Sequence, residues 1–284
     1  MKVTTTYRWI MVAVLAIGAA GCRPSSSSTG GARPPPRARI AASNSYVEAA
    51  IRDLLGVDTP VLRLTEPGTC PGHFDIRPSQ VNDLRDCRLL VRFDFQGSLD
   101  SRLSNLTDHG LAIRSIKVGG GMCEPSSYTG VCEQVAEGLV AANLVTSAAA
   151  DARMSEIKAR IAAGQVRCRQ QIKDAGLTDI PVLCSAHQEA FCRTLGLQVA
   201  ATFGGADITS VGDIERAIKN GEVAKAQIVI ANLPEGVRVA DALAQRLKIK
   251  RVVFGNFPSM TREQSCFDAL VTDNVNQLIK AMKG

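Results

Sequence analysis

Three segments of this 284-residue chain carry side chains that can hold a borderline or soft cation. In Pro67-Gly68-Thr69-Cys70-Pro71-Gly72-His73-Phe74-Asp75-Ile76-Arg77-Pro78-Ser79 a thiol and an imidazole stand three residues apart. Proline stiffens this loop and glycine frees it. Gly119-Gly120-Gly121-Met122-Cys123-Glu124-Pro125 sets another thiol behind three glycines, where the backbone can pass close to a neighbour. Ser185-Ala186-His187 supplies a further imidazole. Cys70, His73, Cys123 and His187 together make an S2N2 set. Held tetrahedrally, such a set suits Zn2+ better than Mn2+, which prefers carboxylate oxygen. Two thiolates would neutralise the dication, so no bare charge is left in a low-dielectric cleft. Asp75 and Glu124 stand close enough in sequence to accept from the histidine N–H groups, or to serve as alternative ligands.

Each residue also has a plainer role. His73 or His187 alone fits a helix cap or a surface position, and His109 in Thr107-Asp108-His109-Gly110 reads as a turn residue. Cys70 and Cys123 could instead close a disulfide between neighbouring loops. Besides Cys22 the chain has Cys70, Cys87, Cys123, Cys132, Cys168, Cys184, Cys192 and Cys266, an even number that fits paired thiols in an exported protein. Cys184 follows Val182-Leu183 and fits equally well as a small core residue.

The elements that must position these loops follow from the apolar pattern. Short apolar runs at residues 39–42, 61–64, 89–95 and 111–118 read as strands, with helices at 43–55, 78–87 and 98–106 between them. Helices at 128–144 and 151–175 follow. The alternation then resumes, with strands at 181–184, 198–202, 227–231 and 251–254 and helices at 187–195, 211–220, 237–247 and 266–282. Such alternation predicts an α/β protein with two lobes, each a parallel sheet flanked by helices, joined by a bridging helix. The expected boundaries are an N-terminal lobe at 40–147, the bridge at 148–176 and a C-terminal lobe at 177–284. The candidate residues fall just past strand ends, where open α/β sheets bind ligands. A cleft between the lobes is therefore the expected site, rimmed by Gly204-Gly205 and by the 256–263 loop.

Aromatic content is only 4%, so Ala, Val, Leu and Ile must build most of the core. The net charge of +6 is local. Six of the 33 bases lie in residues 1–39 with no acid, and the remaining 27 balance the 27 acids. The folded body is formally neutral, which excludes a nucleic-acid-binding surface as the main role. Lys2 and Arg8, an apolar run from Trp9 to Ala16 and small residues to Gly21 form a secretory signal pattern. Ala19-Ala20-Gly21-Cys22 resembles a bacterial lipobox, which implies cleavage before Cys22 and a lipid on its thiol. Residues 1–22 are the expected signal peptide. Residues 23–39, rich in Ser, Gly and Pro, are the expected disordered tether.

Taken in order, these features resemble the metal-binding solute-binding proteins of zinc and manganese ABC transporters. The residues that carry the likeness are Ala42-Ser43-Asn44-Ser45-Tyr46, the Cys70/His73 loop ending in Pro78-Ser79, Ser185-Ala186-His187-Gln188-Glu189-Ala190-Phe191 and Asn274 on the closing helix. The resemblance implies two lobes on a rigid helix, a divalent metal in the cleft and delivery to an ABC permease by a monomer lipid-anchored at the periplasmic face. The family's first ligand corresponds to Cys70 or His73, its second to Cys123 and its third to His187. Its acidic ligand ahead of the last helix falls near Ser265, which Glu263 and Cys266 flank as alternative ligands.

Two other functions compete. A cysteine-dependent enzyme would need a thiol beside a general base and an oxyanion site. The chain has no Gly-x-Ser-x-Gly, no His-Glu-x-x-His and no phosphate loop, so no catalytic residue is assigned. A metal-free binding-protein fold serving as sensor or adaptor is the stronger rival.

Overall fold

The computed structural model describes residues 39–67, 75–261 and 266–283. The signal segment, Cys22, most of the tether, Cys70, His73 and Glu263 lie outside the described residues.

The first half opens with β1 (Ile40–Ala42), α1 (Ser45–Leu55) and β2 (Val61–Arg63), then α2 (Pro78–Leu84) and β3 (Leu89–Phe93). It continues through α3 (Ser98–Arg102), α4 (Ser104–Asp108), β4 (Ala112–Ile116) and α5 (Pro125–Ala141). The strands pair in the order β2-β1-β3-β4, all parallel, with Ile40 opposite both Val61 and Leu89. After α6 (Ser147–Asp174) come β5 (Pro181–Ser185), α7 (Glu189–Thr194), β6 (Gln198–Phe203) and α8 (Val211–Ala224). Then follow β7 (Ile228–Asn232), α9 (Arg238–Leu247), β8 (Lys250–Phe254) and α10 (Phe267–Lys283). These strands form a second parallel sheet, β6-β5-β7-β8.

Local chemistry sets the element ends. The Asn44 side chain accepts from the Tyr46 and Val47 amides at 3.0 and 3.1 Å and starts α1, as an N-cap should. Pro125 opens α5 three residues earlier than its apolar pattern suggests, because its fixed φ suits the first helical position. The helix expected at 98–106 is two short helices. There Ser101, Ser104 and Thr107 donate their hydroxyls to carbonyls three residues back, which competes with the backbone ladder. The helix expected from His187 begins as a tight 3-10 turn at Ala186–Gln188, where the Ser185 hydroxyl accepts from the His187 amide at 3.2 Å.

The bridging helix α6 buries Ala150, Met154, Ile157, Ile161, Gly164, Cys168 and Ile172, one stripe at spacings of three and four. That stripe belongs to a single buried apolar cluster that includes Val91 of the first sheet and Ile230 of the second. Tyr46 sits at its centre, fully buried, with edge-on ring contacts to Tyr128, Phe257 and Phe267. Ring contacts of this kind contribute about 0.5–1.5 kcal/mol beyond area burial.

An ion network fastens α6 to both halves. Arg160 reaches Asp53 on α1 at 2.5 Å and Asp268 on α10 at 2.6 Å. The Tyr128 hydroxyl donates to the same Asp53 oxygen at 2.6 Å. Replacing Arg160 by Met leaves two partly buried carboxylates without their cation. The urea midpoint is expected to fall by an amount equal to about 1–3 kcal/mol. An unchanged midpoint would show that the network contributes nothing net.

Candidate metal site

Turns at the C-terminal ends of β5 and β7 bring one pair of ligand-type groups together. His187 lies in the turn after β5, and its side chain is 64% exposed. Glu235 ends the turn Leu233–Glu235 after β7, and its side chain is 16% exposed. The His187 Nε2 and Glu235 Oε1 atoms are 3.6 Å apart. The other Glu235 oxygen accepts from the Ser185 hydroxyl, which fixes the carboxylate. Two ligands about 2.0–2.2 Å from a tetrahedral zinc stand roughly 3.3–3.6 Å from each other. The pair therefore has the spacing of half a zinc site.

Pro67, the last described residue before Cys70 and His73, lines a cavity of about 280 Å³ together with Leu233, Gly255, Phe257 and Asn274. The cavity thus spans from Pro67 to the turn that holds Glu235.

Cys123 is placed differently. It follows β4, is fully buried, and donates its thiol proton to the Gly255 carbonyl at 2.9 Å. The Asn274 amide donates to its sulfur at 3.4 Å. Burial pushes its pKa up to about 12, so near neutral pH it is a thiol and not a thiolate. All seven described cysteines are free, which overturns a Cys70–Cys123 disulfide. Asp75 forms an ion pair with Arg102, whose hydrogen bond holds its carboxyl below the usual carboxylate range. Glu124 accepts from the Thr194 hydroxyl at 2.6 Å. Cys266 is half-buried at the entry to α10, where its carbonyl accepts from the Leu270 amide. Among the described residues, no three His, Cys, Asp or Glu side chains gather to hold a metal.

A set of carboxamides escaped the sequence reading. Gln188, fully buried, donates to Asn232 at 3.1 Å and to Asn256 at 2.6 Å, joining the ends of β5, β7 and β8. Glu235 was also missed. Leu233-Pro234-Glu235-Gly236 reads as a plain turn, and only its place beyond a β-branched strand marked it as a site position.

Comparison with known proteins adds the fold relationship. A periplasmic metal-binding protein from Candidatus Liberibacter asiaticus superposes with a TM-score of 0.70 at 11% identity, over 86% of this chain and 98% of that one. Its Mn-bound form gives 0.68 at 10% identity, over 85% and 98%. A crystal structure of ZnuA gives 0.68 at 11% identity, over 87% and 99%. No family model and no curated protein matches the sequence. The chain has the two-sheet fold of these periplasmic metal-binding proteins, as its element order predicts.

Two described thiols, Cys123 and Cys266, differ in access, which gives a test. In native protein at pH 8, iodoacetamide is expected to modify Cys266 well before Cys123. Cys123 is expected to react only after unfolding, since burial keeps it protonated below about 12. Peptide mass analysis reads the order. Rapid native labelling of Cys123 would contradict its placement.

Proposed function

We propose that the protein captures a divalent metal cation, with zinc favoured, between its two lobes and hands it to an ABC permease. In this reading it is an exported monomer, lipid-anchored through Cys22 at the periplasmic face of the envelope. The observation that carries the proposal is the His187–Glu235 pair, whose 3.6 Å spacing suits one small cation. Leu233, in the same turn as Glu235, lines a cavity together with Pro67, the last described residue before Cys70 and His73. The proposed ligands are Cys70 and His73 from the first lobe and His187 and Glu235 from the second. One thiolate and one carboxylate would neutralise the dication, and the sulfur and imidazoles favour Zn2+ over Mn2+. Cys123 leaves the set expected from the sequence, because its proton is committed to Gly255. The solved proteins of this fold, described as Mn-bound, as Cd-bound and as ZnuA, support a divalent cargo.

Splitting the ligands between lobes serves release. Separating the lobes would strip the cation of half its donors at once, and water would replace them. A second reading, a metal-free adaptor, is favoured by the seam at Cys123, which joins the halves through protein groups alone.

A thermal melt separates the two. Zn2+ at about 100 times its dissociation constant is expected to add about 2.7 kcal/mol of stability and so raise the melting temperature. His187→Ala and the double variant Cys70→Ser/His73→Ala are each expected to lower zinc affinity by at least about tenfold, the scale seen when even an outer partner of a ligand is lost. An unchanged melting temperature with Zn2+ would favour the adaptor.

A further inference from the structure

The loop between β4 and α5 is tied to the other half of the molecule at three points. The Cys123 thiol donates to the Gly255 carbonyl at 2.9 Å, just past β8. Glu124 accepts from Thr194 at the end of α7 at 2.6 Å. Gly121 lies against the His187 backbone so closely that a Cβ there would stand 2.9 Å from the His187 carbonyl oxygen.

The Gly255 peptide is held from both sides. Its amide donates to Asn274 Oδ1 at 2.9 Å, and its carbonyl accepts from Asn274 Nδ2 at 3.0 Å. The second lone pair of that carbonyl takes the Cys123 proton. Asn256 Oδ1 lies 3.6 Å from the same sulfur and accepts from Gln188. The Gly255 and Asn256 oxygens thus fit a neutral thiol, and the Asn274 amide donates to the sulfur lone pair. A thiolate would face the Gly255 carbonyl oxygen with no proton between them, two electron-rich atoms in contact in a dry site.

We propose that Cys123 is a positioning residue, a neutral latch between the lobes whose thiol proton seats the β4–α5 loop against the His187 turn before any metal arrives. The latch acts on the candidate site through Gly121, which abuts His187. It requires no cation, so it stands or falls separately from metal capture. Serine keeps the proton that matters, since a hydroxyl also donates to a carbonyl. Alanine removes it and leaves the buried Gly255 carbonyl one donor short.

Hydrogen–deuterium exchange on the metal-free full chain tests the latch. Cys123→Ala is expected to speed amide exchange in peptides covering residues 119–124 and 255–257 by about five- to tenfold, the scale of one lost buried hydrogen bond. Cys123→Ser is expected to restore slow exchange. Thr194→Val loosens the same loop without touching the sulfur. It is expected to speed exchange in 119–124 alone, which keeps the test open if the alanine variant does not fold. Zinc affinity is the second readout, expected to stay within about threefold in Cys123→Ser. Unchanged exchange in Cys123→Ala, or in Thr194→Val where alanine does not fold, would overturn the latch. So would a tenfold or greater loss of zinc affinity in Cys123→Ser, the mark of a ligand. If the parent protein binds no zinc, metal capture fails, and exchange alone still decides the latch.

Discussion

At the carbonyl of Gly255 the two halves of the chain meet through a buried polar bond. The carbonyl accepts from Asn274 at 3.0 Å within its own half and from Cys123 at 2.9 Å across the seam. The bond is protected because its surroundings are dry. Cys123, Asn274 and Phe254 are all essentially inaccessible, and Tyr46 and Phe257 pack edge-on nearby in the shared core. An acceptor left unpaired in such a place costs about 1–3 kcal/mol. The arrangement therefore depends on the sulfur keeping its proton.

That constraint shapes the chemistry open to the cleft. A thiol that keeps its proton is not an anionic ligand, so in the proposed reading the cation is held elsewhere. The proposed ligands His187 and Glu235 are less buried, with side chains 64% and 16% exposed. The buried carboxamides of Gln188, Asn232 and Asn256 tie together the ends of three strands. Neutral amides can bond in a dry interior at lower cost than carboxylates, which would need matching cations there.

Much of the fold was legible because apolar runs alternating with amphipathic segments leave few topologies. β7 reads Ile228-Val229-Ile230-Ala231 and can hardly be anything but a buried strand. The stripe on α6 repeats at helical spacing for 28 residues. The helix at 98–106 was misjudged because its leucines keep helical spacing while its hydroxyl side chains bond back to the chain. The place of His187 just past the end of β5 was legible from the strand pattern. The state of Cys123 was not. Its partners are 132 and 151 residues away, and residue type alone does not tell a buried donor from a ligand. Glu235 was hidden for the opposite reason, since a glutamate in a turn is commonplace.

Zinc K-edge X-ray absorption on the zinc-loaded protein reads the central claim most directly, because sulfur and the lighter donors scatter differently and can be counted. The account predicts one sulfur neighbour, from Cys70, at about 2.3 Å, with nitrogen and oxygen at about 2.0–2.2 Å completing four-coordination. Two sulfur neighbours that fall to one in Cys123→Ser would put Cys123 in the coordination shell and contradict a latch that must keep its proton.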